Sequence, residues 1–215
     1  GVRYTNRNQQ RTIAGLYVHQ RGTSEQSGAN FAVFRFLRNY GSQNNVGVMF
    51  THRLDEADAA KGVRQRNNTT LTVDGFVRPA DDITIQYLAT ASRDNRNDSL
   101  GFAGSFFAGW NPNKFYMGWL SDFVSEKYVP GMGFVFAGNT IKHNPGGYYI
   151  WRPQQGWWSN WIRRWDPGLF VNWIQHATDF KTQEVNLYLF PVYIITRSNG
   201  QLEYAATPTW QNFNF

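Results

Sequence analysis

Apolar and polar side chains alternate residue by residue through four consecutive runs between Thr69 and Phe123. A period of two places successive side chains on opposite faces of an extended chain, so each run predicts a β-strand with two different environments. The intervening positions are mostly small or polar. The apolar positions are Leu71, Val73 and Val77; Ile83, Ile85, Tyr87, Ala89 and Ala91; Leu100, Phe102, Phe106, Ala108 and Trp110; and Phe115, Met117, Trp119 and Phe123.

The length of these runs distinguishes two kinds of β protein. Each run spans about ten residues, whereas strands of soluble sandwiches usually have about five or six and membrane-crossing strands need roughly nine to eleven. Ten residues at about 3.3 Å each, tilted by about 40°, rise roughly 25 Å, the height of the apolar band on an outer-membrane barrel. We therefore predict an all-β fold, an antiparallel up-and-down transmembrane β-barrel. A soluble β-sandwich or lipid-binding barrel with one wet face is the alternative.

The barrel interpretation assigns two sets of surface residues. The predicted lipid-facing residues are Leu71, Val73, Val77, Ile83, Ile85, Phe102 and Phe106. Aromatic rings are expected at the two membrane interfaces, where amphipathic rings are favoured. The predicted interface aromatics are Trp110, Trp119, Trp151, Trp157, Trp158, Trp161, Trp165 and Trp173.

Shorter alternating segments precede the four runs. They predict strands at Arg11–His19, Asn30–Arg38 and Asn45–Arg53, whereas the polar segment Gly1–Gln10 is uninformative. The connections alternate between long and short through the fourth run, the longest being Leu54–Asn68. Outer-membrane barrels have the same asymmetry, with tight turns at one end and longer loops at the other.

The pattern after Phe123 is less regular. Asn144–Gly147 and Asp166–Gly168 have turn compositions, which leaves the number of strands open. Arg197–Gly200 predicts a hairpin between two strands. Those strands are Glu184–Thr196 and Gln201–Ala206. Pro191 interrupts the first of them, and because proline donates no ladder hydrogen bond it predicts a bulge or a sheet edge.

Composition fits a protein with an apolar outside and a wet inside. No Pro/Gly/Ser-rich linker divides the 215 residues, so residues 1–215 are predicted to form a single β-barrel segment. Aromatic residues make up 17% of the chain, yet the mean hydropathy is −0.52. No run approaches the 18 or so apolar residues of a transmembrane helix, so a barrel is the remaining way to cross a bilayer with all backbone groups paired.

Charge and cysteine content exclude several classes of function. The net charge is +6, but Lys and Arg are scattered without a basic face or nucleic-acid motif, so nucleic acid is not a predicted partner. A solvated lumen or contact with anionic outer-membrane lipid accounts for the positive charge more simply. The chain has no cysteine, which rules out disulfides, thiolate metal sites and cysteine nucleophiles.

Three segments resemble a known family. They are Val-Gly-Val-Met-Phe-Thr-His-Arg at 46–53, Tyr-Val-Pro-Gly-Met-Gly-Phe-Val at 128–135 and Trp-Ile-Arg-Arg-Trp-Asp-Pro-Gly at 161–168. Together with the order of the early strands they resemble an outer-membrane β-barrel domain of unknown function that commonly follows a family-9-type carbohydrate-binding module. The resemblance covers nearly the whole chain.

This resemblance implies a location in the bacterial outer membrane and a link to carbohydrate handling. The implied roles are anchor, envelope-assembly component or channel, with outer-membrane lipid, other envelope proteins and glycans as partners. The carbohydrate-binding module is absent from the sequence, and the family's barrel usually extends on both sides of the part present here. The chain is therefore expected to be a fragment of a longer polypeptide.

Candidate catalytic groups are few. The four histidines occur singly, with no spacing that suggests a metal, so each is interpreted as a polar wall or interface residue. They are His19, His52, His143 and His176. No Gly-x-Ser-x-Gly elbow, P-loop or dinucleotide fingerprint appears. We expect a non-enzymatic protein without cofactor or metal, the alternative being a soluble protein that binds or hydrolyses glycans.

Two groups of carboxylates are candidate catalytic residues. Asp55, Glu56 and Asp58 lie in the longest polar segment, where they could bind a cation or serve a glycosidase, but a solvated loop explains them better. Asp81 and Asp82 are adjacent in a turn that aspartate favours, so their side chains are expected to point apart.

The segment from Tyr148 to Trp173 is unusually rich in tryptophan. It is interpreted as a membrane-interface girdle, with a sugar-stacking platform as the alternative. Trp157 and Trp158 are adjacent, so if both lay in one strand their rings would point to opposite faces and could not form one platform. Arginines nearby suit contact with headgroup phosphates.

Overall fold

The computed structural model describes residues 1–96, 99–133, 135 and 137–212. These residues form fourteen strands and two short 3-10 helices, Ala59–Lys61 and Trp157–Asn160. The strands are β1 (Val2–Arg7), β2 (Arg11–Gln20), β3 (Ala29–Tyr40), β4 (Asn44–Asp55), β5 (Arg66–Ala80), β6 (Ile83–Asp94), β7 (Ser99–Trp110), β8 (Phe115–Val124), β9 (Thr140–Tyr149), β10 (Ile162–Trp165), β11 (Gly168–His176), β12 (Thr182–Thr196), β13 (Gln201–Ala206) and β14 (Thr209–Gln211).

The strands belong to one antiparallel sheet with an up-and-down order. From β1 to β9 each strand is bonded to the next in the chain, and β9 is followed by β11 and β12. β10 also pairs with β12, as do β13 and β14. The predicted all-β class with antiparallel up-and-down strands is confirmed.

The chain divides into two compact units. The first comprises Gly1–Val77, Gln86–Ser105 and Phe123–Thr140, and the second comprises Arg78–Ile85, Phe106–Asp122 and Ile141–Phe215.

In the first unit, strand register separates an apolar face from a polar one. Phe34, Phe50 and Leu71 lie opposite one another on β3, β4 and β5, and their side chains therefore form one row. Because successive residues alternate, the next position on β4 and β5 lies on the other face, where Thr51 is opposite Thr70. The alternation that the sequence predicts for β4 and β5 is thus present in the register.

The polar face is the covered one. Among the described residues, glycines and Pro153 aside, four apolar residues are buried, whereas nine polar or charged residues are buried. The apolar four are Ala29, Ile150, Ile162 and Phe190, and the polar nine are Asn68, Thr70, Thr72, Thr90, Ser92, Asp94, Ser99, Asp166 and Gln175. In the first unit Leu71 is 51% exposed while its neighbour Thr72 is 5% exposed. This is the reverse of the arrangement in water-soluble proteins.

The second unit repeats this division on β11 and β12. Leu169 lies opposite Leu189, and Trp173 lies opposite Val185, on one face. Asn172 faces Asn186 on the other, where the Nδ2 of Asn144 on β9 donates to the Oδ1 of Asn172 at 3.0 Å. An apolar face and an amide-lined face therefore lie back to back in this unit too.

The connections alternate in length only through the first two pairs. Segment 21–28 is long, 41–43 short, 56–65 long and 81–82 short. The next pair, 95–98 and 111–114, has equal lengths because β6 and β7 extend farther than the alternation predicts. Residues 97 and 98 of that prediction lie outside the described residues.

The polar segment Gly1–Gln10, from which no element could be predicted, contains β1, because Val2 to Arg7 pairs with β2 residue by residue. The turn predicted at Asn144–Gly147 was wrong, because these residues lie inside β9. A Cβ on Gly147 would strike the carbonyl oxygen of Tyr116, so the glycine reflects close approach of two strands and not a turn.

Two breaks in the strands follow from proline. Asp166 and Pro167 separate β10 from β11, yet both strands pair antiparallel with β12. The chain therefore continues in the same direction and does not make the turn that its composition predicts. Pro191 coincides with a register shift between Leu189 and Val192 in the pairing of β12 with β13. The predicted bulge is confirmed, and the predicted hairpin of β12 and β13 is present.

Candidate functional site

A connecting segment is held against the polar face of the first unit. The Nδ2 of Asn68 donates to the carbonyl oxygen of Val129 at 2.7 Å, and the N–H of Gly131 donates to the Oδ1 of Asn68 at 2.7 Å. The N–H of Val129 donates to the Oγ of Ser92 at 3.0 Å. Asn68 is 1% exposed. Strand side chains thus replace the hydrogen bonds that this segment would otherwise make with water.

The same segment is tied down at two more points. The Nη1 of Arg53 donates to the carbonyl oxygen of Gly131 at 3.1 Å, and the hydroxyls of Thr90 and Tyr128 are 3.3 Å apart. If Gly101 carried a side chain, its Cβ would overlap the backbone of Lys127. The segment therefore lies directly on β7. We refer to residues 125–131 as the inner segment.

A carboxylate anchors this cluster. Asp94 is buried and accepts hydrogen bonds from Arg66 Nε at 2.9 Å, Arg96 Nε at 3.1 Å and Asn68 Nδ2 at 3.1 Å. Burying a carboxylate is costly unless charged and polar donors surround it. The arrangement is therefore a satisfied polar network that fixes the inner segment.

A second ion pair crosses three strands. Both terminal nitrogens of the Arg35 guanidinium on β3 donate to the carboxylate of Asp74 on β5, Nη1 to Oδ1 and Nη2 to Oδ2, the latter at 2.7 Å. A Cβ on Gly47 of the intervening β4 would lie 2.5 Å from the Arg35 guanidinium. The glycine is what lets the two charges meet.

A groove with a volume of about 1000 Å³ lies in the second unit. Its walls include Trp110, Met117 and Trp119, whose side chains are between 44% and 56% exposed. Pro145 and Gly147 of β9 contribute no large side chain, which leaves the space open between the rings. The lining is almost entirely apolar. We refer to this space as the aromatic groove.

A smaller cavity of about 300 Å³ in the same unit combines rings with charges. Tyr188 stacks on Phe190 with ring centroids 5.2 Å apart, and the Tyr188 hydroxyl donates to the carboxylate of Glu203. Arg164 Nε donates to Asp166 Oδ1 at 2.6 Å on another wall. Flat rings beside charged hydrogen-bonding groups suit a polar ligand with an apolar face.

Three of the predicted interface tryptophans form a stack. Trp157 and Trp158 have ring centroids 3.6 Å apart, and the ring of Trp161 lies 6.0 Å from the first and 5.7 Å from the second. They lie in and beside a 3-10 helix, so the condition of a shared strand, under which the rings of Trp157 and Trp158 would point to opposite faces, is not met. All three tryptophans are exposed, Trp157 most of all at 61%.

The remaining predicted interface aromatics are spread over the second unit. Trp110 donates its indole N–H to Asp82 at 2.6 Å, and Trp119 donates its own to Ser121 at 2.8 Å. Trp151 and Trp165 are half-buried and pack edge to face at 5.8 Å. Trp173 is 37% exposed.

The predicted lipid-facing residues share the apolar faces but differ in exposure. Exposure is greatest for Leu71, Val73, Phe102 and Phe106, all at 40% or more. Val77, Ile83 and Ile85 are half-buried. Lipid contact at these seven positions stays a prediction.

Of the candidate catalytic groups, the structure brings His19 and Glu56 together, with Nδ1 and Oε1 4.0 Å apart and Asn30 in contact with both. The Nδ1 atoms of His52 and His143 lie 2.9 Å and 2.7 Å from the hydroxyls of Thr69 and Ser121. His19 contacts Asn30, and His176 contacts Gln183. No group of three or more His, Cys, Asp or Glu side chains in the described part of the chain could hold a metal.

The acidic residues have local structural roles. Asp55 accepts from Arg53 at 2.7 Å, and Glu56 accepts from Asn30 at 3.3 Å. Asp58 joins Val63 through two backbone hydrogen bonds. In the turn before β12, hydrogen bonds from the backbone and side chain of Lys181 lower the pKa of Asp179. None of these contacts indicates proton transfer to a substrate.

Asn68, Asp94 and the Arg35–Asp74 pair were not singled out from the sequence. Asn68 and Asp94 were assigned to connections, although both lie at the ends of strands. The signal that would have found them is a polar residue at every second position, Asn68 continuing the alternation of Thr70 and Thr72, and Asp94 that of Thr90 and Ser92. The ion pair has no such signal, because it depends on the register of three strands.

Among the described residues, no helix has the length and apolar composition needed to span a bilayer. Comparisons of the chain with models of known protein families, with curated proteins and with solved structures give no match.

Proposed function

We propose that the chain is part of a non-enzymatic outer-membrane β-barrel that anchors or helps to assemble a component of the bacterial envelope. One observation carries this proposal. On β5 the apolar side chain of Leu71 is exposed, while the adjacent hydroxyl of Thr72 is buried and bonded to Thr90 at 2.9 Å.

In water, the inner segment would stabilise the sheet most by covering its apolar face, because burial of apolar area is the main favourable term in folding. Here the inner segment covers the polar face, and the row of Phe34, Phe50 and Leu71 remains exposed. A bilayer supplies the missing apolar surroundings, and its interior demands that backbone groups be paired as they are in a sheet.

Strand length supports the same proposal. β3, β4, β6 and β7 each have 12 residues, and β5 has 15. Strands that cross a bilayer obliquely need roughly nine to eleven residues, whereas soluble strands usually have about five or six.

The test is the behaviour of the full-length protein on cell fractionation. We expect it in the outer-membrane fraction, resistant to extraction by high salt and released by detergent. Recovery in the soluble fraction without detergent would favour the soluble β-sandwich instead. A high-salt wash matters as a control because the net charge of +6 could hold a peripheral protein on anionic lipid.

A second candidate function, glycan binding, is supported by the smaller cavity. Tyr188 offers a ring for stacking, and Arg164 and Glu203 offer charged hydrogen-bonding groups around a space of about 300 Å³. Titration calorimetry with neutral oligosaccharides should then give binding that Tyr188→Leu abolishes. Tyr204→Leu, the same substitution at an exposed residue outside the cavity, is the control and should leave binding unchanged.

A further inference from the structure

The aromatic groove lies on the face that carries the exposed rings of β8. Ser121 Oγ is 2.7 Å from His143 Nδ1 and 2.8 Å from the indole nitrogen of Trp119, so these three residues share one face of β8 and β9. Met117 and Trp119 are two positions apart and lie on that same face. The groove therefore opens on the face that the proposed function assigns to lipid.

The shape and chemistry of the groove suit an alkyl chain. Its walls are rings and a thioether, and its floor is set by Pro145 and Gly147. It has few polar atoms that could hydrogen-bond a sugar or peptide ligand. A hydrocarbon chain needs none, and it gains from every apolar contact.

Two cationic residues lie at the turn that leads into the groove wall at Phe115. Lys114 immediately precedes Phe115, whose ring packs edge to face on Trp110 at 4.7 Å. The Nη1 of Arg152 donates to the carbonyl oxygen of Asn113 at 2.8 Å, which brings its guanidinium to the same turn. The nearby carboxylate of Asp82 already accepts the indole N–H of Trp110 at 2.6 Å.

We propose that the aromatic groove binds one acyl chain of an anionic phospholipid, with the headgroup phosphate at Lys114 and Arg152. Apolar rings would hold the chain, and the two cations would select a lipid with net negative charge over a zwitterionic one. This inference rests on the proposed membrane location, since the lipid is taken from the bilayer that surrounds the sheet.

Native mass spectrometry of the full chain in detergent tests the proposal, with phosphatidylglycerol and phosphatidylcholine of identical acyl chains as probes. The wild type should retain one phosphatidylglycerol about tenfold more strongly than phosphatidylcholine, as expected for two charge-assisted contacts. Reversing both charges, with Lys114→Glu and Arg152→Glu together, should abolish this preference. The matched control, Arg163→Glu with Lys181→Glu, should keep it.

Filling the groove separates chain binding from headgroup binding. Ala108 lines the groove, so Ala108→Phe should reduce retention of both lipids. Ala89→Phe is the control, because Ala89 is exposed on the apolar face of the first unit and does not line the groove. Wild-type retention of phosphatidylglycerol by Ala108→Phe, or an unchanged preference in the charge-reversed variant, would overturn the proposal.

A second measurement avoids dependence on the folding of Ala108→Phe. Phosphatidylglycerol with bromine on its acyl chain should quench tryptophan fluorescence, and Trp119→Phe should remove more of that quenching than Trp210→Phe, whose residue lies outside the groove. Equal losses would refute the site. If the wild type fractionates with outer membranes but shows no preferred lipid, only this inference fails, whereas a soluble wild type overturns the proposed function as well.

Discussion

Arg35 of β3 and Asp74 of β5 form an ion pair that passes over Gly47 of the strand between them. In the register, Gly47 lies opposite Asp74, and Arg35 lies opposite Met49, two residues along β4. The guanidinium therefore reaches diagonally across a position that has no side chain. Both charged side chains are about a quarter exposed, so the pair is partly shielded from water.

This geometry predicts that Gly47→Ala destabilises the protein. The added Cβ would displace the Arg35 guanidinium and leave Asp74 without its bidentate partner, at a net cost of about 1–2 kcal/mol. Gly15→Ala is the matched control, since a Cβ there has its nearest neighbour at 4.0 Å. Glycine inside a strand is generally less stable than alanine, so this control should gain up to about 1 kcal/mol. Denaturant unfolding in detergent measures both, and equal effects would contradict the role of Gly47.

The strands could be predicted from the sequence because local alternation specifies them, as in β5 and β7. β1 could not be predicted because Val2 and Tyr4 are its only apolar residues, too few for a periodic signal, and its pairing with β2 decides its structure. Long-range pairing likewise overrides the turn composition of Asn144–Gly147. Sequence patterns report local preference, and these segments are fixed by their neighbours in the sheet.

The candidate sites were harder to predict for the same reason. The inner segment depends on Asn68 meeting Gly131, which is 63 residues away in the sequence. The stack of Trp157 and Trp158 depends on a 3-10 turn, where adjacent rings can lie on the same side. Neither arrangement leaves a periodic signal in the sequence.

The assignment of faces predicts opposite outcomes for two leucines. The hydroxyls of Thr72 and Thr90 are hydrogen-bonded, so both side chains lie on the polar face. Asp74 and Leu88 are each two residues from one of these threonines and therefore lie on the same face. Leu71 lies on the apolar face. Leu71→Lys should therefore cost about 2–4 kcal/mol in a bilayer, as a charge near the midplane does, whereas Leu88→Lys should cost less than about 1 kcal/mol.

Both leucines are exposed, at 51% and 39%, and the substitution is the same, so only the face differs. Unfolding after reconstitution into phospholipid vesicles measures the difference. If Leu71→Lys were as stable as Leu88→Lys, the apolar face would be in contact with water.

The inner segment should be released when Asn68 is shortened. Asn68→Ala leaves the buried N–H of Gly131 and the carbonyl of Val129 without their partner, which should cost about 2–3 kcal/mol. The exposed Lys127 in this segment should then be cut by trypsin under native conditions. Asn144→Ala, which removes an amide from the second unit, serves as the control and should leave Lys127 protected. Equal cleavage in the two variants would mean that Asn68 does not hold the segment.

The last prediction concerns the stack of Trp157, Trp158 and Trp161. Indole rings prefer the amphipathic layer between lipid and water, and the Arg197 guanidinium lies beside the stack, with Nε donating to the carbonyl oxygen of Ser159 at 2.6 Å. Trp157→Ala and Trp161→Ala should therefore lower thermal stability in detergent or impair membrane assembly, while retention on polysaccharide stays unchanged. Trp157→Phe should also weaken the exciton band in circular dichroism that rings 3.6 Å apart produce. Loss of polysaccharide retention at wild-type stability would instead identify the stack as a sugar-binding platform, because stacking on a glycan needs the rings but does not require a membrane interface.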